Sequence, residues 1–247
     1  MQLPGTPSDE VADVLATGHG DISTLFVSMA TRHPDGADAD YLRWHTLDHR
    51  PEQHRLTAVR ASLRLVSTPA CRSARASNDE RFDAIDHVMT YFFTDRSGLK
   101  GFNELYGALD AADRNLPLLP PVQRGVYTTA GKAAAPRVKV GSDVLPWWPV
   151  RGVYLLLEAD ASPPKNLIEV EGVAGVWSAE SHSIHASLAS APAGQTISYC
   201  FLDDDPVDVA QRLRPVLAER WEQADVEPLL AAPFYPIVPY DWDRHVP

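Results

Sequence analysis

The chain has 247 residues, enough for one large domain or two small ones, and its formal net charge of −11 at pH 7 repels the phosphate backbone of nucleic acids. No apolar run approaches the roughly 20 residues that cross a bilayer, and residues 1–20 are acidic and lack the basic start and apolar core of a secretory signal. These features predict a cytoplasmic protein that binds neither nucleic acid nor a membrane.

The first half of the chain predicts a β-α-β-β-α-β order of elements. The apolar run over 22–30 is typical of a strand. A helix is predicted over 40–52, with Asp38 or Asp40 as its cap and Pro51 marking its end. The signals that follow are strands over 63–67 and 87–94, a helix that begins over 101–109, and weaker strands over 127–130 and 137–140.

The second half repeats this order in a reduced form. A segment over 166–170 is too short for a full first helix. The clearest helix of the chain is predicted over 207–221, where apolar residues recur at helical spacing. The predicted extended segments are 152–158, 175–179, 183–188 and 196–202.

This repeat predicts an α+β fold of two ferredoxin-like lobes, each a split βαβ unit, whose sheets pack face to face as an intramolecular barrel. The predicted divisions are a flexible N-terminal segment over 1–20, a first lobe over 21–141, a second, degenerate lobe over 142–226 and a proline-rich, extended C-terminal tail over 227–247. Because the second lobe lacks most of its first helix, a single surviving site is expected in the first lobe.

Residues 41–54 contain three histidines together with Tyr41 and Trp44. Helical spacing places Tyr41, His45 and His49 on one face of the predicted helix. Because histidine changes charge near neutral pH, His49 in a pocket could accept or donate a proton. In the alternative interpretation, His49 lies at the helix C-terminus, where the helix dipole favours a partly positive ring.

A metal site is another interpretation of the same cluster. His45 and His49 have the spacing of two ligands in H-E-x-x-H metalloproteases, but Thr46 stands in place of the glutamate, which excludes that mechanism. A third ligand would have to come from His87, His182 or His185. We expect no metal at this cluster.

Other cofactor motifs are missing from the sequence. It contains neither a G-x-G-x-x-G motif nor a P-loop, so a nucleotide cofactor is not expected. Cys71 and Cys200 lack a C-x-x-C spacing and are expected to be separate thiols.

The strand predicted over 87–94 has one amphipathic face. Strand alternation places His87, Met89, Tyr91 and Phe93 together on it. Two interpretations are open. The face could line a pocket for an apolar ligand with one or two polar groups, or it could be core in which the polar tips are hydrogen-bonded internally.

The segment Trp44-x3-Asp48-His49-x-Pro51-Glu52 resembles the W-x-x-x-[ED]-H-x-P-E signature of EthD-like and stress-responsive members of the dimeric α+β barrel superfamily. The resemblance implies a barrel with a pocket between the first helix and the sheet, used for small apolar or aromatic substrates, and it gives His49 the role of acid or base. Such proteins usually build their barrel from two chains, whereas this chain is expected to carry both halves.

These observations lead to one functional hypothesis and two alternatives. The hypothesis is a cofactor-independent enzyme that transfers a proton on a small apolar carbonyl compound (polyketide-, aromatic- or steroid-like) in an isomerisation, cyclisation or elimination. The alternatives are a haem-binding barrel and a non-catalytic binding or interaction protein, and a homo-oligomer is compatible with all three. The hypothesis assigns catalysis to His49, His87 and Tyr91, and substrate binding to Tyr41, Trp44, His45, Met89 and Phe93.

Overall fold

The computed structural model describes residues 21–182 and 190–247. The strands are β1 (Thr24–Ala30), β2 (Val59–Val66), β3 (Ser77–Asn78), β4 (His87–Phe93), β5 (Pro121–Ala134), β6 (Gly152–Ala159), β7 (Val173–Ser181), β8 (Gln195–Leu202) and β9 (Glu227–Pro236). The α-helices are α1 (Asp38–Trp44), α2 (Arg50–Gln53), α3 (Pro69–Ser73), α4 (Glu80–Asp83), α5 (Gly98–Ala111) and α6 (Pro206–Ala224). A π-helical turn, His45–His49, joins α1 to α2, and 3-10 turns lie at Pro136–Val138, Ser142–Trp147 and Lys165–Glu169.

The strands form one antiparallel sheet that closes into a barrel. Neighbouring strands follow the order β2-β4-β1-β5-β7-β8-β6-β9, and β9 returns to β2 through the pairs Leu65–Pro236 and Val66–Tyr235. The two-residue β3 pairs with another part of the same edge of β9. Within the described chain, eight strands therefore close the ring, and the predicted mixed α+β fold with a barrel is confirmed.

The barrel interior is the main hydrophobic core. Side chains of a strand alternate between its two faces, so Val88 and Phe92 of β4 point into this core, while Met89, Tyr91 and Phe93 belong to a cluster outside it. The predicted division of this strand into two faces is confirmed. Large aromatic side chains fill the interior, including Phe92, Trp177, Tyr199 and Phe201.

Helices cover the outer face of the barrel differently in its two halves. On β6, β8 and β9, α6 packs Leu213 and Leu217 against the fully buried Tyr154 and Leu156. On β1, β2, β4 and β5, the cover consists of α5 and the α1–π–α2 segment. A Cβ on Gly98, the first residue of α5, would lie 2.5 Å from the Ala58 Cβ in the turn before β2 and 2.9 Å from Phe93 Cδ1 on β4, so glycine permits this helix to approach the sheet closely.

The C-terminal segment differs from its prediction as an extended surface tail. Its first ten residues form β9, which pairs with β6 over most of its length, and Phe234 is fully buried in the barrel interior. The prolines at 228, 233 and 236 suggested a tail because proline cannot donate to a β-ladder. The strand tolerates them since β2 and β3 each pair with only two residues along its other edge.

Several predicted boundaries also change. The weak signals over 127–130 and 137–140 resolve into the long strand β5, followed by a 3-10 turn at Pro136–Val138, so the strand predicted over 137–140 is wrong. The cap position of α1 is Ala37, and Asp38 uses its carboxylate elsewhere. The N-terminal segment 1–20 and the extended segment predicted over 183–188 lie outside the described residues.

None of the helices in residues 21–182 and 190–247 has the length and apolar character needed to cross a membrane. Both cysteines are buried free thiols, as predicted.

Candidate functional site

A cavity of about 200 Å³ lies on the outer face of the barrel, between β1, β2, β4 and β5 on one side and the helices of the first half on the other. Most of its wall is aromatic or apolar, and the polar groups are histidine, arginine, asparagine, serine and tyrosine side chains. Its lining residues are Phe26, Ser28, Tyr41, Trp44, His45, His49, Arg64, Met89, Tyr91, Phe102, Asn103, Tyr106, Leu118 and Arg124.

The π-helical turn carries both histidines of the cavity. Pro51 lacks an N–H, and in a regular α-helix its ring would clash with the carbonyl of Leu47. The wider turn immediately before it accommodates this proline, and the helix continues to Gln53. The helical segment ends at Gln53, one residue beyond the predicted end at 52, and His49 lies about one turn before that end rather than at the C-cap, which is His54.

The motif around His49 docks the segment that follows α5. The Trp44 indole N–H donates to the Arg114 carbonyl at 3.0 Å, and the Arg114 guanidinium donates to Asp48 and Glu52, each also at 3.0 Å. Three of the motif residues thus bind a single arginine. This docking brings Asn115 against the His49 ring.

Asn115 sets the tautomer of His49. Its amide N–H donates to the Tyr106 carbonyl at 3.2 Å, which turns its Oδ1 towards His49 Nδ1, also at 3.2 Å. Since this oxygen only accepts, Nδ1 carries the proton and Nε2 has the lone pair. The partner of Nε2 is the Gln53 amide at 3.5 Å, a long contact that a ligand could replace.

The environment of His49 favours its neutral form. Burial lowers the pKa of His49 below its usual 6.5, although the Asn115 hydrogen bond and the Asp48 carboxylate both oppose this shift. At neutral pH the ring is therefore unprotonated, which is the form that accepts a proton.

His45 and Tyr91 form a second polar pair on the cavity wall. His45 Nε2 lies 3.4 Å from the Tyr91 hydroxyl, and its Nδ1 is buried without a hydrogen-bond partner among the described residues. Burial lowers the pKa of His45 well below its usual value, and Arg64 adds to the shift. Burial raises the pKa of Tyr91, so its hydroxyl stays protonated and can donate.

His87 links Asp38 to Arg64 beneath the cavity. The Arg64 guanidinium donates to His87 Nδ1 at 3.2 Å, so His87 Nε2 carries the proton and donates to Asp38 Oδ1 at 2.7 Å. The same carboxylate oxygen accepts from the His33 backbone N–H at 2.8 Å. Both ring nitrogens of His87 are therefore engaged, and the residue orients Arg64 from outside the cavity lining.

The buried His87 predicts a pH-dependent stability. Burial lowers its pKa from 6.5 to about 4, so between these values the unfolded chain binds a proton that the folded chain does not. The free energy of unfolding should fall by about 3 kcal/mol from this group as the pH drops from 6.5 to 4. In urea unfolding across this range, His87→Gln should show a correspondingly shallower pH dependence. Equal pH dependence in both proteins would contradict the assignment.

Six of the eight sequence-predicted site residues line the cavity: Tyr41, Trp44, His45, His49, Met89 and Tyr91. The other two do not. His87 lies in the Asp38–Arg64 network, and Phe93 packs against Phe102 with ring centroids 5.5 Å apart. The functional roles of all eight remain predictions.

Sequence reasoning missed the residues that complete the site. Arg64 comes from β2 and belongs to no recognisable motif, yet its side chain is buried. Asn115 follows α5 in a polar stretch without a motif. The one available signal was the neighbouring Arg114, a cation that the acidic positions of the motif could bind.

A metal or haem does not fit the cavity as it stands. Within the described residues, no three or more His, Cys, Asp or Glu side chains are grouped to hold a metal ion. Haem is at least as large as a drug-sized ligand, whose pockets measure roughly 300–1,000 Å³, whereas this cavity measures about 200 Å³.

Comparisons with known proteins do not assign a family. Neither the family models nor the curated proteins contain a match to this sequence. Among solved structures, the chain is similar to an anthrone oxidase-like protein (12% identity, TM-score 0.49, covering 90% of this chain and 94% of that one). It is also similar to a dye-decolorizing peroxidase from Bacteroides thetaiotaomicron (11% identity, TM-score 0.49, covering 94% and 95%). Similarity at this level does not assign the activity of either protein to this chain, and the EthD-like resemblance stays a prediction.

Proposed function

We propose that the chain is a cofactor-independent enzyme that transfers a proton on a small carbonyl compound of aromatic or apolar character. The observation that carries the proposal is His49, a neutral imidazole on the wall of an aromatic cavity whose tautomer is set by Asn115. A group that is positioned, unprotonated and next to a ligand-sized space has the properties of a general base.

In the proposed step, His49 Nε2 removes a proton from a carbon next to the carbonyl. The C–H electrons form a C=C bond, and the carbonyl π electrons move to the oxygen to give an enolate. The imidazolium then returns the proton to another carbon, which completes an isomerisation. In a cyclisation the enolate carbon instead attacks a second carbonyl carbon of the same molecule, and the oxygen of that carbonyl takes the proton. In an elimination the enolate expels a substituent from the β carbon, which leaves with the bonding electrons and takes the proton. No electrons are gained or lost, so the step requires no redox partner.

The developing charge on the oxygen needs hydrogen-bond donors, and the cavity wall provides them. Arg64 and Tyr91 both line the cavity, and the raised pKa of Tyr91 keeps its hydroxyl protonated. Donors that are already in place stabilise an oxyanion without reorganisation. We therefore propose that Arg64 and Tyr91 bind the substrate oxygen, with His87 as a positioning residue for Arg64.

The cavity volume favours a compact substrate. At about 200 Å³ the space is smaller than the pockets of most drug-sized ligands. A single ring with one or two substituents matches it better than a steroid or an extended polyketide. Of the polyketide-, aromatic- and steroid-like compounds considered from the sequence, we therefore propose the aromatic ones.

We also interpret the barrel as two ferredoxin-like lobes in tandem. Support comes from the strand orders β2-β4-β1-β5 and β7-β8-β6-β9, which are the same when each group is numbered along the chain. In the second group, the space under α6 is occupied by Tyr154, Leu156, Leu213 and Leu217. Because these side chains fill the space between α6 and the sheet, a single site is expected, on the strands β2-β4-β1-β5.

Substitutions of Asn115 should move the pH profile of turnover. Its hydrogen bond raises the pKa of His49, so Asn115→Leu should lower that pKa further and shift the acid limb of kcat/KM to lower pH. Asn115→Asp adds a negative charge and should shift the limb to higher pH. Measurement of kcat/KM from pH 4 to 8 checks both shifts. A shift of the acid limb in the same direction in both variants would contradict the role given to Asn115.

The proposed function is tested by a ligand-detected screen of one-ring aromatic ketones, aldehydes and acids against wild type and His49→Ala. Compounds that bind the wild type and are converted only when His49 is present support the proposal. Binding without conversion, with the same affinity in both proteins, would replace it with a non-catalytic binding protein. His54→Ala is a suitable control, since His54 is an exposed histidine one turn beyond His49.

A further inference from the structure

Arg64 is a buried cation without a carboxylate partner. Its residue is 5% exposed, and within the described chain its guanidinium forms no ion pair with Asp or Glu. One Nη donates to the neutral His87 ring, and Nε has no hydrogen-bond partner among the described residues. Removing a charge from water without a partner is costly, so a site with this arrangement favours an anion.

The surroundings of the guanidinium compensate its charge only in part. Its carbon lies 5.2 Å from the centroid of the Tyr41 ring, in a cation–π contact. The nearest acidic side chain in its network is Asp38, which is separated from it by the His87 ring and already accepts two hydrogen bonds. The partners of the guanidinium are therefore the neutral His87 ring and the Tyr41 side chain, and among the described residues no carboxylate pairs with it where Arg64 lines the cavity.

The rest of the cavity wall has the same electrostatic character. Arg124 supplies a second guanidinium, and it forms no ion pair with a carboxylate of the described residues. None of the lining residues is Asp or Glu, and the two lining histidines are neutral at pH 7 because burial lowers the pKa of each. Among described residues, the wall thus carries positive charge without negative charge.

Aromatic rings surround this cationic site. Tyr41 and Trp44 of α1 have ring centroids 5.4 Å apart, and Tyr91 of β4 and Phe102 of α5 have ring centroids 4.8 Å apart; all four side chains line the cavity. Aromatic walls of this kind contact a flat ring through stacked and edge-on packing. The space between them is about 200 Å³.

We propose that this cavity selects a one-ring aromatic anion, with a carboxylate bound by Arg64 and the ring held between the aromatic walls. The inference rests on the proposed function for its site and extends it by naming the charge of the substrate. It replaces a neutral apolar ligand with a carbonyl compound that also carries a carboxylate, so that Arg64 binds the carboxylate and Tyr91 remains the donor to the reacting carbonyl oxygen.

The test compares benzoate with benzamide, its uncharged analogue of nearly the same shape, by isothermal titration calorimetry at pH 7. In wild type, benzoate should bind about 10- to 100-fold more tightly than benzamide, as expected for a buried hydrogen bond to a charged group. Arg64→Met should remove this preference, Arg64→Lys should retain part of it, and Arg43→Met, an exposed arginine on α1, should not change it. Acetate should bind more weakly than benzoate, because it lacks the ring.

Equal binding of benzoate and benzamide to wild type, or no binding of either, would overturn the inference. So would an acetate affinity equal to that of benzoate. If Arg64→Met does not fold, the wild-type comparison of the three compounds decides alone. His49→Gln should bind benzoate within about threefold of wild type, a change of less than 1 kcal/mol. If wild type prefers benzoate over benzamide but converts no compound, the inference about the anion holds and the proposed catalysis is rejected.

Discussion

Replacement of His49 with glutamine is expected to lower kcat by about 100- to 10,000-fold, the usual contribution of a positioned general base. Glutamine retains a polar side chain of similar reach, so packing against Trp44 and Tyr106, whose rings lie 5.1 Å and 5.9 Å from the imidazole, should be largely preserved. The loss should appear in kcat with a small change in KM, since the imidazole acts on a proton rather than holding the substrate. Steady-state kinetics on a compound converted by wild type measures it.

His54→Gln is the matched control for this substitution. His54 is exposed and contacts the Ser62 hydroxyl at 2.7 Å, outside the cavity lining. Its kinetics should equal those of wild type. If His49→Gln and His54→Gln lose activity to the same extent, the loss comes from a disturbed helix and not from removal of a general base. The role proposed for His49 would then be wrong.

Phe234→Ala is expected to destabilise the protein by about 3–5 kcal/mol, the range for a large buried aromatic side chain. Phe234 is fully buried in the barrel interior, on the strand that closes the ring. Since whole domains are stable by only about 5–15 kcal/mol, much of the protein could unfold at physiological temperature. Urea unfolding at 25 °C measures the change.

Tyr240 provides the comparison, because it lies in the same C-terminal segment and is 80% exposed. Tyr240→Ala should change the free energy of unfolding by less than about 0.5 kcal/mol. A destabilisation by Phe234→Ala as small as that of Tyr240→Ala would mean that the segment 227–236 does not belong to the barrel.

Much of the fold was accessible from the sequence because strand alternation and helical periodicity are local. The alternation over 87–94 correctly separated Tyr91 and Met89 from Val88 and Phe92. The pairing of β9 was not accessible in this way. Its prolines are typical of a tail, and what makes it a strand is contact with β6, which is distant along the chain.

The site shows the same division between local and long-range information. The spacing of Tyr41, His45 and His49 placed them together on one wall, and they line the same cavity. The partners that set their chemistry, Arg64 and Asn115, come from other elements and carry no motif of their own. The engagement of His87 by Asp38 could not be foreseen either, since 49 residues separate the two.

The most direct test of the account is hydrogen–deuterium exchange on a bound carbonyl compound. One-ring aromatic ketones and keto acids would be incubated with the protein in D₂O, and loss of the C–H signal next to the carbonyl would be followed by proton NMR. We expect exchange that is faster with wild type and His54→Gln than without protein, and that falls to the protein-free rate with His49→Gln. Compounds that bind the cavity without accelerated exchange, or exchange that persists in His49→Gln, would contradict it.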